Sequence, residues 1–293
     1  MQVIYVAGWR EFIERPDQMN KIIYTGLAGA LLATTAFPAL AQNNEATVAT
    51  QSDSALAAAI NHERRSDDKA RDIYRHPAET LTFFQIAPDQ TVAEYAPGGG
   101  WYTRVLLPYL NDDGSYVAIN TASDKPGNSW AEGFPAKASQ WTGVPAENIS
   151  AYESDAVPDA VKGKVDRIVI FRSLHGLLNA GLAQSELQAL RDILADDGMV
   201  GVVQHRADAD AQEAVSNGSK GYVQQDNVIA LFELNGFELV DSSEINANPK
   251  DTKDYEKGVW TLPPTLTNKE VDRAKYEAIG ESDRMTLLFK KRL

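Results

Sequence analysis

The chain has 293 residues, 43% of them hydrophobic, with 41 acidic against 28 basic side chains, a formal net charge of −13 and no cysteine. The length suits one large α/β domain, or one domain with a short appendage, and the apolar share is ample for a core. Acidity disfavours nucleic acid, since no basic run exceeds Lys290-Lys291-Arg292; the lack of cysteine excludes disulfides, thiolate catalysis and Cys-ligated zinc.

Residues 1–18 are mixed and polar, and translation is expected to start at Met19. A lone Lys21 then precedes an apolar run from Ile22 to Phe37, followed by Pro38 and Ala39-Leu40-Ala41. This is the n-region, h-region and small-x-small pattern of a secretory leader. The run is shorter than the ~20 residues of a membrane span, so cleavage after Ala41 and an exported, periplasmic product are expected. Residues 42–53 read as a polar tether. A helical pattern runs from Ser54 to Tyr74 and is expected to stop at Pro77; a second short helix covers Ala78 to Phe84. The expected organisation is a leader over 1–41, tether and helix over 42–77, and a sheet domain over 78–293.

Strands and helices then alternate. Strands are predicted at 91–95, 115–120, 148–152, 165–171, 199–204, 237–243 and 284–290. Helices are predicted at 100–107, closed by Pro108, at 185–194 with Leu187, Leu190 and Leu194 on one side, and at 225–234 with a glycine stop at Gly236. Asp112-Asp113-Gly114 and Asp196-Asp197-Gly198 read as turns. The segment 121–145 holds three glycines and two prolines before Pro145. It reads as loop with room for one helical turn. Apolar strands in repeated β-α units imply a Rossmann-like, mostly parallel sheet with helices on both faces.

The most informative stretch is Val92-Ala93-Glu94-Tyr95-Ala96-Pro97-Gly98-Gly99-Gly100-Trp101-Tyr102. A strand ends in a carboxylate, a small-residue loop follows, and a helix begins. In open α/β sheets ligands bind at such carboxyl ends. A dinucleotide fingerprint would place its acidic residue ~20 positions later, whereas Glu94 ends the strand itself. A strand-to-helix turn without a ligand is the plain alternative. Asn120 ends the second strand where Asp or Glu usually meets a ribose; its amide accepts more weakly, and Asp124 is near enough to stand in. Asp155 follows the third strand and is either a ligand contact or a solvated loop residue.

His175 and His205 follow the fourth and fifth strands on the same edge, as candidates for general base or substrate contact. Arg206 is a candidate for an anionic group. His62 and His76 read as structural, and no metal site is patterned. Residues 244–264 carry too many prolines and asparagines for regular structure and too many apolar anchors for disorder. A packed lid is expected, with Lys250, Asp251, Lys253 and Trp260 as substrate-facing candidates.

Glu94-x-Ala96-x-Gly98-x-Gly100 resembles the acidic-x-Gly-x-Gly-x-Gly fingerprint of class I S-adenosylmethionine-dependent methyltransferases, with Ala96 replacing the first glycine. The chain looks like a group of exported bacterial methyltransferases within that superfamily. The resemblance rests on Arg71-Asp72-x-Tyr74-Arg75-His76-Pro77, residues 94–102, His205-Arg206, Asn248 to Asp254, Gly258 to Pro264 and Asp283-Arg284-Met285. It implies a seven-stranded sheet with strand seven antiparallel. It implies S-adenosylmethionine over Glu94, Ala96, Pro97, Gly98, Gly99, Gly100, Trp101 and Tyr102, with ribose near Asn120 and adenine near Asp155. It further implies a small-molecule acceptor deprotonated by His175 or His205, with the acceptor itself undefined. An exported binding protein on the same fold, and a nicotinamide-dependent oxidoreductase, are the alternatives.

Overall fold

The structure, a computed structural model, describes residues 54–110, 113–122 and 129–293. The expected leader with its cleavage site at Ala41, the start at Met19, the tether over 42–53, Asp112 and Asp124 lie outside the described residues.

The helical pattern expected through Tyr74 is broken. Residues 54–61 form α1; two 3-10 turns, Glu63–Arg65 and Lys69–Arg71, lead into α2, Asp72–Arg75. His62 stands in an extended conformation and its Nδ1 accepts the Arg64 N–H at 3.2 Å. The buried Arg65 donates to the Ile60 carbonyl at 2.6 Å and pairs with Asp72 at 2.7 Å, so tertiary bonds replace the helical register. Pro77 starts α3, Pro77–Phe83, instead of stopping a helix; at a first position its missing N–H costs nothing.

The sheet elements follow in order. They are β1 (Thr91–Tyr95), α4 (Thr103–Leu110), β2 (Ser115–Asn120), α5 (Trp130–Thr142), β3 (Ser150–Glu153) and β4 (Val165–Phe171). Then come α6 (Leu174–Ala180), α7 (Ala183–Ile193), β5 (Leu194–His205), α8 (Glu213–Ser216), α9 (Gln225–Leu234), β6 (Phe237–Ser243), α10 (Arg273–Ile279) and β7 (Arg284–Lys291). Two corrections have clear causes. α4 continues through Pro108, because the buried Tyr109 and Leu110 hold the last turn against the core. Residues 130–142 form a three-turn helix where a loop was expected. Ser129 caps it by accepting the Glu132 N–H, and Phe134 and Ala138 are buried beneath it.

The strand order is β3-β2-β1-β4-β5-β7-β6, with β7 antiparallel to both neighbours and the other pairs parallel. This is the seven-stranded, Rossmann-like methyltransferase sheet implied by the resemblance. Strand alternation divides the core into two layers. Val92, Val169, Phe171, Val203 and Leu288 face α3 and α4, while Ala93, Tyr95, Ile168, Ile170, Val202 and Leu287 face α6, α7 and α9. The chain leaves β1 toward β2 and β3, then returns on its other side as β4. The switch point therefore lies between the carboxyl ends of β1 and β4, where a crevice opens in doubly wound sheets.

Candidate active site

The glycine turn begins where β1 ends. Ala96 adopts φ 51, Gly98 φ 59 and Gly100 φ 73. Ala96 thus holds a left-handed conformation that the fingerprint assigns to glycine, at about 1–2 kcal/mol. A Cβ on Gly99 would meet nothing within 4 Å, and one on Gly98 only the Ala96 carbonyl at 3.9 Å, so this side of the turn is open. Gly100 is closed: its Cβ would lie 2.3 Å from the Trp141 ring of α5. Pro97 is buried and its carbonyl accepts the Gly100 N–H at 3.0 Å.

Glu94 lies inside the protein, not at its surface. It is 2% exposed, and its Oε2 accepts from Thr103 Oγ1 and Tyr116 Oη, both at 2.7 Å. Burial pushes its pKa up to about 7, against the opposing pull of the two hydroxyls. The carboxyl therefore braces the loop against the start of α4 and against β2. Trp101 and Tyr102 are likewise core residues. Tyr102 stacks on Phe171 and donates to the Arg75 carbonyl at 3.1 Å; the guanidinia of Arg65 and Arg75 lie 4.7 and 4.6 Å from the Trp101 ring. Their contribution to a crevice is backbone.

Asn120, half-buried, closes β2 opposite Glu153 of β3, and its carbonyl accepts the Ser154 N–H at 2.8 Å. Asp155 is exposed in the turn after β3. Both stand on the edge that carries the glycine turn.

The structure brings the two edge histidines together, with ring centroids 5.7 Å apart. The Gln204 amide donates to His175 Nδ1 at 3.3 Å and to the Gly221 carbonyl at 2.9 Å. The second bond fixes the amide, so neutral His175 carries its proton on Nε2. His205 is buried, with Nδ1 2.5 Å from Ser282 Oγ, a partner able to donate or accept. Burial lowers the pKa of both imidazoles, and for His205 Arg284 and Arg172 lower it further. Both are neutral at pH 7, and only His205 has a choice of tautomer. His62 and His76 belong to the segment before β1, where each stands at a helix terminus.

Arg206 is already paired. It forms two bonds to Glu244 at 2.7 Å and two to Asp283 at 3.1 Å, and hydrogen bonding to Glu244 raises its pKa. In the 244–264 segment, Asp251 is buried and accepts from Tyr222 Oη at 3.0 Å and from the Asp283 N–H at 2.8 Å. Lys253 bridges Asp208 at 2.6 Å and Asp283 at 3.0 Å, while Lys250 is exposed. Trp260 reaches the edge, edge-on to His175 at 5.8 Å. The segment is thus packed over the carboxyl edge, as a lid would be, and one of its four candidates faces the histidines.

Sequence reasoning missed the arginines of this edge. Arg172 follows β4 with φ 58, and Arg284 begins β7, paired with His205 across the β5–β7 ladder. Among the described residues no group of three or more metal-binding side chains is assembled, and no helix is long and apolar enough to cross a membrane.

No protein-family model matches the chain, and no curated protein matches it. Solved structures do. A SAM-dependent methyltransferase from Aquifex aeolicus is 17% identical with a TM-score of 0.45, over 62% of this chain and 90% of that one. The 1,6-didemethyltoxoflavin-N1-methyltransferase of Burkholderia thailandensis, solved with 1,6-didemethyltoxoflavin and S-adenosylhomocysteine, is 14% identical with a TM-score of 0.46, over 90% and 94% of the two chains. The YcgJ protein of Bacillus subtilis is 13% identical with a TM-score of 0.46, over 73% and 96%. The assignment of the fold rests on the strand order and register above.

Proposed function

We propose that the crevice at the β1–β4 switch point binds S-adenosylmethionine and that the chain transfers its methyl group to a small-molecule acceptor, as an exported member of the class I methyltransferase superfamily. The observation that carries this reading is the turn over 96–100. It lies at the carboxyl end of a central strand, it takes a left-handed backbone at alternate positions, and it is open above Gly98 and Gly99. These features fit the group: backbone can approach the methionine part closely, and Asn120 and Asp155 stand along the same edge for the nucleoside.

Bound there, S-adenosylmethionine would supply an electrophilic methyl group on a sulfonium that is already a good leaving group. The residues of the chain then act by positioning and electrostatics. Glu94 holds the turn from beneath through Thr103. His175, with its proton on Nε2, is placed to donate a hydrogen bond; neutral His205, with a choice of tautomer, can either donate or accept one. Trp260 and its segment cover the edge and exclude water.

Two observations favour a second reading, an exported binding protein on the same sheet: Glu94 is sealed from any ligand, and Asn120 replaces an acid. Calorimetric titration with S-adenosylhomocysteine separates the two. Saturable binding is expected in the wild type. Its loss is expected in Gly99→Val, whose side chain enters open space and leaves the melting temperature unchanged. No heat and no thermal shift at millimolar ligand would leave only the binding-protein reading.

A further inference from the structure

A cavity of about 80 Å³ lies between the ends of β4 and β5 and the start of β7. Arg172, His205, Glu281, Ser282 and Arg284 line it, with Trp260 and the Pro263-Pro264 pair among its other walls. At roughly 10–15 Å³ for each water-sized group, it has room for about five to eight. That suits one carboxylate or phosphate group with a water, and it is too small for a whole nucleoside.

The charges around it do not balance. Glu281 is the shared partner of three guanidinia: Arg71 Nε at 2.6 Å, Arg75 Nε at 3.1 Å, and Arg284 Nη2. Arg172 lines the same cavity and has no hydrogen bond or ion pair through its side chain among the described residues. Four guanidinia against one carboxylate leave three positive charges uncompensated. The neighbouring carboxylate, Asp283, is engaged by Arg206 and Lys253. Arg284 Nε, Arg71 Nη2 and the Oγ of Ser173, next to Arg172, are buried without a partner. Buried like charges without a counter-ion are destabilising, and Arg172 adds a left-handed backbone that side-chain-bearing residues disfavour. An arrangement this unfavourable in the protein alone is what a charged ligand would complete.

We propose that this cavity takes the oxyanion, carboxylate or phosphate, of a ligand other than the cofactor, held by Arg172 and Arg284, with His205 and Ser282 as its hydrogen-bonding wall. Guanidinia suit both groups through paired N–H donors. The assignment goes beyond methyl transfer and stands without it.

Thermal melts of the full chain, titrated with inorganic phosphate and separately with acetate at ionic strength held constant with sodium chloride, test it. A saturable rise in Tm is expected with at least one, and the stronger of the two identifies the oxyanion. The Arg172→Gln protein is expected to lose the rise. Without added anion it should melt at the wild-type temperature or about 2–4 °C higher, because an unpaired charge among like charges is gone. A wild type that responds no more to phosphate or acetate than to chloride overturns the proposal. So does an Arg172→Gln protein melting several degrees lower without ligand, since Arg172 would then be a packing residue. Equal affinity of both proteins for S-adenosylhomocysteine supports a second ligand. A tenfold loss in the variant would give the cavity to the cofactor's own carboxylate and overturn the assignment. If neither protein binds S-adenosylhomocysteine, methyl transfer fails as a reading, and the phosphate and acetate melts still decide this one.

Discussion

Glu94 shows that a residue's place in the chain and the direction of its side chain are separate facts. Its position before a glycine turn drew a ligand role, but strand alternation sends its side chain to the α4 side of the sheet, onto Thr103 and Tyr116. The consequence is a pH dependence. Its pKa rises from an ordinary 4.5 to about 7 on folding, so the unfolded chain ionises first as pH climbs. The stability that Glu94 contributes is complete below 4.5 and is lost as pH rises through about 7, a loss of up to about 3 kcal/mol. Glu94→Gln removes that titration. Urea unfolding at pH 4 and pH 8 should find the variant gaining on the wild type by up to this amount at the higher pH. Parallel behaviour of the two proteins across that range would sink the assignment of Glu94 as a buried, neutral carboxyl.

At the level of elements, the strands were the most legible part. β1, β2 and β4 run where the apolar stretches place them, because a buried parallel strand must be apolar nearly throughout; β6, an exposed edge strand antiparallel to β7, also lies where it was predicted. Helix α5 was missed because Gly133 and Pro135 mask it, although the Ser129-x-x-Glu132 cap and the Gly143 stop, at φ 77, were both present in the sequence. Nothing local could show that α5 delivers Trp141 onto Gly100. That contact fixes how closely α5 approaches the glycine turn. Gly100→Ala combines a methyl 2.3 Å from the indole with a φ of 73, and should cost about 2–4 kcal/mol in denaturant unfolding. A loss below about 0.5 kcal/mol would mean that the turn and α5 are not tightly packed.

At the scale of the whole molecule, distant segments converge on Glu281. Arg71 and Arg75 come from the segment before β1, Arg284 from the start of β7, and the 244–264 segment anchors beside them through Asn248, which donates to the Glu281 carbonyl at 2.6 Å. Burial alone would raise the Glu281 pKa, but Arg284, Arg75 and Arg71 outweigh it and hold it at about 2. Its stabilisation is therefore complete above 4.5 and is lost as pH falls toward 2. Glu281→Gln leaves the buried Arg75 and Arg284, and the half-buried Arg71, without their counter-charge. It should cost about 3–5 kcal/mol at pH 7 by urea unfolding, with the gap closing in acid. An unchanged midpoint would show that Glu281 is not the keystone of this edge.

The sequence by itself determined the alternation of strands and helices, the glycine turn at the end of a central strand, and the pair of histidines on one edge. Each is carried by local spacing, which apolar burial and backbone conformation make readable. Only the tertiary structure decided which groups those features face. Glu94 turned inward by strand parity, and Arg206 was claimed by Asp283 and Glu244. Arg71 and Arg75 reached a carboxylate 210 and 206 residues away. Arg284 met His205 through the antiparallel register of β5 and β7. Long-range pairing follows from packing and register across the sheet, and no local pattern of residues encodes it.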